Sequence, residues 1–370
     1  MKRITLITIV AALVAMGSLS AQNWKVIPVP EVSGKWSLWS IAFAAPGDGW
    51  MTGRDMTDIK HKKGLMFHYK GGKWEKADLP QVSDDWILNH IRFNSPVNGW
   101  AVGYDIANKK GLALHYQNGN WTVTQMPEIE TKEWTLLNVH FINDSEGWAV
   151  GGNTDGKAAV VLHYKDGKWN AEGDKEMLKK HIFRAVYASN QGDVWFGGQD
   201  EGSLYGYMAG NRPWNTYEIH NTGNIWNAVK QPFGLKNAYR TDYFFFTPYD
   251  GWCTGNMTVN LDMGKGSIGH WDGKEWKPAD LPDVSKKWYI DALWFSSPSN
   301  GWAVGDNMSK DKGLLLKFDN GKWSMLEKKQ LPEIENDWYL NDVVYDSQSG
   351  WWTIGQNTSN DKGFILNIAP

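Results

Sequence analysis

Short runs of aromatic and aliphatic residues recur along the chain with a period of roughly fifty residues. In one clear copy these runs cover residues 86–93, 99–103 and 111–116 and continue from residue 120. Gly, Asn, Asp or Pro separates them at intervals of about ten residues, which is typical of consecutive antiparallel strands. Each copy therefore predicts four short strands joined by tight turns.

Two sets of seven tryptophans mark the copies. The first set sits in or near a Gly-Trp step: Trp50, Trp100, Trp148, Trp195, Trp252, Trp302 and Trp351. The second set follows a Gly-Lys-like turn or matches that position: Trp24, Trp74, Trp121, Trp169, Trp214, Trp276 and Trp323. Four strands repeated seven times predict an all-β, seven-bladed β-propeller. Because tryptophan buries a large apolar area, we expect both sets to pack between blades.

The two ends of the chain are predicted to meet in one blade. The last copy has a third strand at 364–368 and no fourth strand after it. Residues 22–30 match residues 119–127, which form the fourth strand of an earlier copy. An N-terminal strand that completes the last blade would close the ring and leave no unpaired edge in that sheet.

The amino terminus predicts export. Lys2 and Arg3 precede an apolar run at 4–16 and then small residues up to Ala21, the layout of a secretory signal peptide. We expect a signal peptide at 1–21 and a single propeller domain at 22–370, in a secreted or periplasmic protein. No later stretch reaches the length of about 20 apolar residues that spans a bilayer.

The overall charge excludes one class of partner. The net charge of -3 gives no broad basic field, so we expect no nucleic-acid binding. The single cysteine, Cys253, has no internal disulfide partner and is interpreted as a packing residue. We expect a monomer.

The entrance to the innermost strand supplies the candidate binding surface. Five copies begin this strand with a tryptophan, namely Trp36, Trp86, Trp134, Trp288 and Trp338. Polar residues follow within the same strands at Asn89, Asn138, Asp291 and Asn341. Aromatic faces beside amides and carboxylates suit sugars or extended peptides. The alternative is that each tryptophan caps the core of its blade.

The fourth copy departs from the pattern. Lys179, Lys180 and His181 stand where the entrance tryptophan is expected, and the spacing to the next copy is long. We interpret residues 221–237, with Trp226, as an insertion between blades four and five on the entrance face. Long loops in compact repeats often carry function. The alternative is that this insertion is an ordinary surface loop without a function.

The sequence predicts no cofactor. His68, His115, His163 and His270 recur before an aromatic residue in the third strand, so they are interpreted as structural. Asp291 and Asp342 could hold Ca²⁺ through oxygen ligands, although no ligand spacing demands it. No nucleophile elbow, phosphate loop or metalloprotease motif occurs.

Two motifs carry a family resemblance. Gly-Trp-Ala-Val-Gly occurs at 99–103 and 301–305, and Tyr-Lys-Asp-Gly-Lys-Trp occurs at 164–169. With these, the repeats resemble those of the photosystem II stability and assembly factor family and, more distantly, the Asp-box (BNR) repeats of sialidases. The resemblance implies a propeller and an assembly or binding role. The resemblance to sialidases would imply a six-bladed ring with three clustered arginines. In residues 22–370, however, arginine holds no repeated position.

Three functions remain open. The first is a non-catalytic exported propeller that binds a glycan, a peptide or a partner protein on the entrance face. The second is a glycoside hydrolase or lyase that uses channel carboxylates such as Asp291 and Asp342. The third is a purely structural surface module.

Overall fold

The computed structural model describes residues 23–155, 157–200, 216–223, 225–229, 238–259 and 262–370. It contains seven sheets, each with four antiparallel strands that follow one another along the chain, apart from the sheet that joins the two ends. The predicted seven-bladed propeller is therefore confirmed.

The strands are numbered in chain order. Blade one contains β2 (Trp36–Ala45), β3 (Asp48–Asp55), β4 (Lys63–Lys70) and β5 (Lys73–Lys76). Blade two contains β6 (Trp86–Ser95), β7 (Asn98–Asp105), β8 (Lys110–Gln117) and β9 (Asn120–Val123). Blade three contains β10 (Trp134–Asn143), β11 (Glu146–Asn153), β12 (Ala159–Lys165) and β13 (Lys168–Ala171). Blade four contains β14 (His181–Ala188), β15 (Asp193–Asp200), β16 (Thr216–Thr222) and β17 (Ile225–Ala228).

The other three blades complete the ring. Blade five contains β18 (Ala238–Thr247), β19 (Asp250–Val259), β20 (Asp262–Trp271) and β21 (Trp276–Pro278). Blade six contains β22 (Tyr289–Ser297), β23 (Asn300–Asn307), β24 (Lys312–Asp319) and β25 (Lys322–Met325). Blade seven contains β26 (Trp338–Asp346), β27 (Gly350–Asn357), β28 (Lys362–Ile368) and β1 (Lys25–Ile27). The described helices are α1 (Lys175–Leu178) and a 3-10 turn at Lys328–Gln330.

The N-terminal strand closes the last blade, as predicted. Strand β1 pairs antiparallel with β28, with Lys25 opposite Asn367 and Ile27 opposite Ile365. The amide of Trp24 also donates to the carbonyl of Gln330 at 3.2 Å. This pairing covers the edge of β28, which would otherwise present a row of unpaired backbone groups.

Tryptophan pairs join neighbouring blades. At six interfaces a second-strand tryptophan meets an outer-segment tryptophan of the next blade nearly edge-on, at 5.3–5.9 Å between ring centroids. The pairs are Trp352–Trp74, Trp50–Trp121, Trp100–Trp169, Trp195–Trp276, Trp252–Trp323 and Trp302–Trp24. Such a pair contributes about 0.5–1.5 kcal/mol beyond its buried area, so the two sets of tryptophans fasten the ring.

Blade seven corrects one member of the first set. Trp352, and not Trp351, lies opposite Val344 and contacts Trp74 of blade one. Trp351 lies opposite Tyr345, one position earlier than expected for a second-strand tryptophan. Trp352 lies 14 residues after Trp338, the same spacing that Trp50 has after Trp36, but the Gly-Trp step comes one residue early, so the motif alone misplaced this ring.

Blade four corrects the second set and the expected insertion. Residues 221 and 222 end β16, and Trp226 lies in β17 opposite Asn221. Trp226 therefore occupies the outer-strand position that the sequence pattern assigned to Trp214. The expected loop at 221–237 is wrong for residues 221, 222 and 225–228, which are paired in the sheet. Trp214 and residues 230–237 lie outside the described residues.

Two further findings concern the ends and the membrane. The predicted signal peptide at 1–21 lies outside the described residues. In the part of the chain that the structure describes, no helix has the length and apolar character needed to cross a membrane.

Candidate functional site at the channel mouth

The entrance tryptophans are core residues. Trp36, Trp86, Trp134, Trp288 and Trp338 are only 3–4% exposed. Each ring packs on a third-strand glycine of the preceding blade, and the pairs are Trp36–Gly363, Trp86–Gly64, Trp134–Gly111, Trp288–Gly266 and Trp338–Gly313. A Cβ on these glycines would approach the ring to 2.0–2.5 Å, so the Lys-Gly pattern serves packing. The expectation that these five tryptophans form a ligand platform is corrected by their burial.

A bulge recurs at the same place in the innermost strand of every blade. The ladder between the first and second strands skips one residue, which leaves that residue outside the regular pairing. We call these residues the bulge ring: Trp39, Asn89, Leu137, Arg184, Thr241, Asp291 and Asn341. The ring brings one side chain from each blade toward the central channel.

Several bulge-ring side chains bridge blades. Asn89 donates through Nδ2 to the Leu136 carbonyl at 2.7 Å, and Asn341 donates likewise to the Leu38 carbonyl at 2.6 Å. Thr241 donates through Oγ1 to a carbonyl of blade six at 3.1 Å. The predicted binding residues Asn89 and Asn341 therefore already use their amides within the protein. Asn138, one position after the bulge of blade three, is buried.

Three tyrosines line one side of the mouth. Tyr239, Tyr289 and Tyr339 occupy equivalent register positions at the start of the innermost strand in blades five, six and seven, and we call them the mouth arc. Tyr339 donates through its hydroxyl to Gln356 Oε1 at 2.9 Å. Tyr289 is hydrogen-bonded to Asp306 on the second strand of blade six. These bonds fix the phenol rings along one wall.

Two carboxyl groups beside the mouth arc have unusual acidity. Burial, with Asp311 and Asp337 nearby, raises the pKa of Asp306 to about 7. Burial and the neighbouring Asp306 raise the pKa of Asp291 to about 8. Asp306 Oδ1 is buried and has no hydrogen-bond partner among the described residues. This wall therefore combines phenols with an acidic group that can accept another hydrogen bond.

Two arginines flank the mouth arc, one at each end. The Arg54 guanidinium lies 4.2 Å from the centroid of the Trp39 ring and donates to Asn89 Oδ1 at 2.7 Å. Arg184 donates through Nε to Gln199 Oε1 at 3.0 Å and lies 5.5 Å from the centroid of the Tyr239 ring. The mouth thus has a guanidinium group at each end of the mouth arc, on blades one and four, and carboxyl groups on blade six between them.

Arg92 and Trp294 form a floor below the bulge ring. The Arg92 guanidinium lies 4.8 Å from the centroid of the Trp294 ring. These residues belong to blades two and six, which are not neighbours, so their contact crosses the channel. A ligand at the mouth would therefore meet a cup with a floor.

Asp242 and Asp342 serve the ring. Asp342 accepts the amides of Ile41 in blade one, at 2.9 Å, and of Val343, at 2.8 Å. Asp242 makes the same two kinds of bond toward blade six and within blade five. Among the described residues, no group of three or more His, Cys, Asp or Glu side chains could hold one metal ion.

The mouth arc and Asp306 were missed from the sequence. The available signal was a tyrosine immediately after the entrance position in the last three copies, at Tyr239, Tyr289 and Tyr339. Of the residues predicted for the site, Asp291 is the one that reaches this acidic wall. Trp226 lies in the outer strand β17, where it stacks on Phe196 at 5.1 Å between centroids.

Fold and site together define a β-propeller with a floored, polar channel mouth. Two solved structures of YCF48, one bound to a D1 peptide and one from Cyanidioschyzon merolae, are similar to this chain with TM-scores of 0.60. They are 14% and 12% identical to it, cover 94% of it in both cases, and are themselves covered over 97% and 99% of their lengths. The resemblance to photosystem II assembly-factor propellers is thereby confirmed for the fold.

A more distant likeness is to an enzyme. The GH74 xyloglucanase from Xanthomonas campestris has a TM-score of 0.50 and 10% identity, and the match covers 92% of this chain and 61% of the enzyme. No family model matches the chain, and no curated protein matches it by sequence. At such identities the likeness concerns the fold alone.

Proposed function

We propose that this protein is a non-catalytic, exported binding or assembly propeller, and that its channel mouth takes a peptide segment of a partner protein. The segment carries a basic side chain that pairs with Asp306 and Asp291 and an extended backbone that lies along the mouth arc. Export rests on the predicted signal peptide at 1–21.

The buried oxygen Asp306 Oδ1, without a described hydrogen-bond partner, carries this proposal. A buried acceptor left unpaired costs about 1–3 kcal/mol, and a cationic donor would satisfy it with a charge-assisted hydrogen bond. Tyr289 and Tyr339 add phenol rings that contact apolar groups, and their hydroxyl oxygens can accept a backbone N–H. One YCF48 structure that shares the fold holds a D1 peptide, which supports a peptide as the ligand class.

A peptide array probed with residues 23–370 tests the proposal. The array varies charge at each position, and selected peptides are then titrated by fluorescence polarisation. We expect the selected peptides to be enriched in Lys and Arg. Asp306→Asn should weaken their binding by about tenfold or more, since one charge-assisted hydrogen bond is worth roughly 1.5–3 kcal/mol. Asp319→Asn, on an exposed edge of blade six, is the matched control.

The pH dependence gives a second readout of the same site. Because the pKa values of Asp306 and Asp291 are about 7 and about 8, both groups lose their charge as pH falls through this range. Affinity for a basic peptide should therefore rise from pH 6 to pH 9. Selection of acidic peptides, or binding that Asp306→Asn leaves unchanged, would refute the proposal.

Glycoside hydrolysis is the second candidate, favoured by the likeness to the xyloglucanase fold and by the raised pKa of Asp291. Asp342 is a poor partner because both of its carboxylate oxygens accept backbone amides. The acid and base would then be Asp291 and Asp306. Turnover of a fluorogenic glycoside panel that is lost in Asp291→Asn would establish this function in place of the peptide site.

A further inference from the structure

The face opposite the channel mouth is here called the turn face. A second pocket lies on this turn face. Its volume is ≈ 600 Å³, which lies in the range of small-ligand sites. The ends of the innermost strands of blades three, four and five form its walls, together with the turns that follow them in blades four and five. None of these residues belongs to the channel mouth.

The pocket arises where blade four breaks the repeat. In five blades the innermost strand ends with a phenylalanine ring packed on a second-strand glycine, and the pairs are Phe43–Gly49, Phe93–Gly99, Phe141–Gly147, Phe245–Gly251 and Phe295–Gly301. Blade four has Ala188 opposite Val194 at this place. Because alanine does not extend over the interface as a phenylalanine does, space remains beside blade three.

The same interface differs in its tryptophan contacts. Trp100 stacks on Phe141 of the next blade at 4.9 Å between centroids, and Trp252 contacts Phe295 in a tilted arrangement at 5.1 Å. Trp148 in blade three faces Ala188 instead, within one apolar cluster. The outer-strand Trp226 stacks on Phe196 of its own blade. The interface between blades three and four therefore differs from its neighbours at two places, the end of the innermost strand and the outer strand.

The lining is aromatic and uncharged. Among the described residues that line this pocket, none is Asp, Glu, Lys or Arg, in a chain of which 21% is charged. Tyr187, Phe246 and Tyr249 supply aromatic rings. Of these, Tyr249 is 65% exposed. Asn190 and Gln191 supply exposed amides. Burial and the nearby Arg92 hold the pKa of His140 down at about 3, so this side chain is also neutral.

We propose that this pocket binds a neutral saccharide of one or two sugar units. The Tyr249 ring contacts the C–H face of the sugar, and the amides of Asn190 and Gln191 bond to its hydroxyls. A charged ligand would find no counter-charge in the lining and would lose hydration on entry. The site is independent of the peptide site proposed for the channel mouth.

Ligand-observed NMR on residues 23–370 tests the proposal. The probes are the methyl glycosides of glucose, galactose, mannose, xylose and fucose, with cellobiose and lactose, at millimolar concentration. We expect at least one probe to bind. Tyr249→Ala should weaken that binding by about tenfold or more, as expected for an aromatic anchor. Val97→Ala, at the equivalent exposed turn position of blade two, is the matched control and should leave binding unchanged.

A second variant separates the pocket from the tyrosine. The double substitution Ala188→Phe with Val194→Gly copies the phenylalanine–glycine pair of the other blades and should fill the space. It should abolish saccharide binding while the melting temperature stays at or above that of the parent. Asp306→Asn should leave saccharide binding intact, which distinguishes this site from the channel mouth.

Any one of the following results would overturn the proposal. Binding of none of the seven probes would do so, as would unchanged binding in Tyr249→Ala or in the folded double variant. Competition between a bound saccharide and a peptide selected at the channel mouth would also do so, because it would place both ligands in one site.

Discussion

At the scale of single residues, the chemistry of the channel mouth depends on two buried carboxyl groups. Asp306 and Asp291 have raised pKa values because burial, together with neighbouring carboxyl groups, disfavours their charged forms. The folded protein therefore holds protons on these groups at pH values where the unfolded chain has released them. Stability should then fall as pH rises through this window.

Asp291→Asn isolates this effect. The folded pKa of about 8 lies above the ordinary value, so the contribution of Asp291 to stability is lost between about pH 4 and pH 8 and stays lost above it. We expect the parent to lose stability between pH 6 and pH 9 and the variant to lose less. Urea unfolding at both pH values measures the difference, with Asp319→Asn as the exposed control. Equal pH slopes for parent and variant would contradict the assignment.

At the scale of strands, two kinds of contact hold neighbouring blades together. The entrance tryptophan of each regular blade needs a glycine on the preceding third strand. Between blades four and five, a buried pair joins the two sheets instead, since Glu218 and Arg240 are each 1% exposed and lie 3.7 Å apart. The Tyr243 hydroxyl also donates to Glu218, so the pair is held by a network.

Gly111→Ala tests the first contact. The added Cβ would meet the Trp134 ring at 2.1 Å, which forces the ring or the backbone to move. Overpacking of this kind costs about 1–3 kcal/mol, and thermal or chemical denaturation should show it. The neighbouring Lys110→Ala changes an exposed side chain and should stay near the parent. A variant as stable as the parent would show that the tryptophan does not lie on this glycine.

Glu218→Ala tests the second contact. Removing one member of a buried ion pair leaves an uncompensated charge and costs about 3–5 kcal/mol. Chemical denaturation should show a loss of this size, and the double variant Glu218→Leu with Arg240→Met should recover most of it. If the double variant is no more stable than the single one, the charge of Arg240 is not what destabilises the protein.

The strand pattern was predictable, and the register at irregular places was not. Alternation and turn residues were enough to place the four strands of the regular blades. The shift from Trp351 to Trp352 depends on a Gly-Trp step that comes one residue early in blade seven, and the exchange of Trp214 for Trp226 depends on strand pairing across a long connection. The entrance tryptophans were misjudged because a repeated packing residue and a repeated ligand platform have the same sequence pattern. The acidity of Asp306 depends on burial, which spacing does not report.

At the scale of the whole molecule, closure by the N-terminal strand holds the ring together. Strand β1 pairs with β28, and Trp24 is buried against Trp302 of blade six. These contacts join the first part of the chain to the last two blades. Propellers remove most sheet edges by such radial closure, so an open ring would expose β28.

Deletion of residues 23–30 tests closure. The variant should melt at a much lower temperature, since loss of a buried tryptophan alone costs about 3–5 kcal/mol. A synthetic peptide of residues 22–30 should restore part of the stability by pairing with β28. Lys25→Ala, an exposed change in the same strand, is the control. An undiminished melting temperature after the deletion would contradict closure by this strand.

The most direct test of the account is hydrogen–deuterium exchange of the protein with and without a peptide selected on the array. The account predicts slower exchange at the starts of β22 and β26, around Tyr289 and Tyr339, and at the end of β23 around Asp306. The turn face should exchange as before. Protection confined to the turn face or the outer strands, with the mouth unchanged, would contradict the proposal that the channel mouth is the binding site.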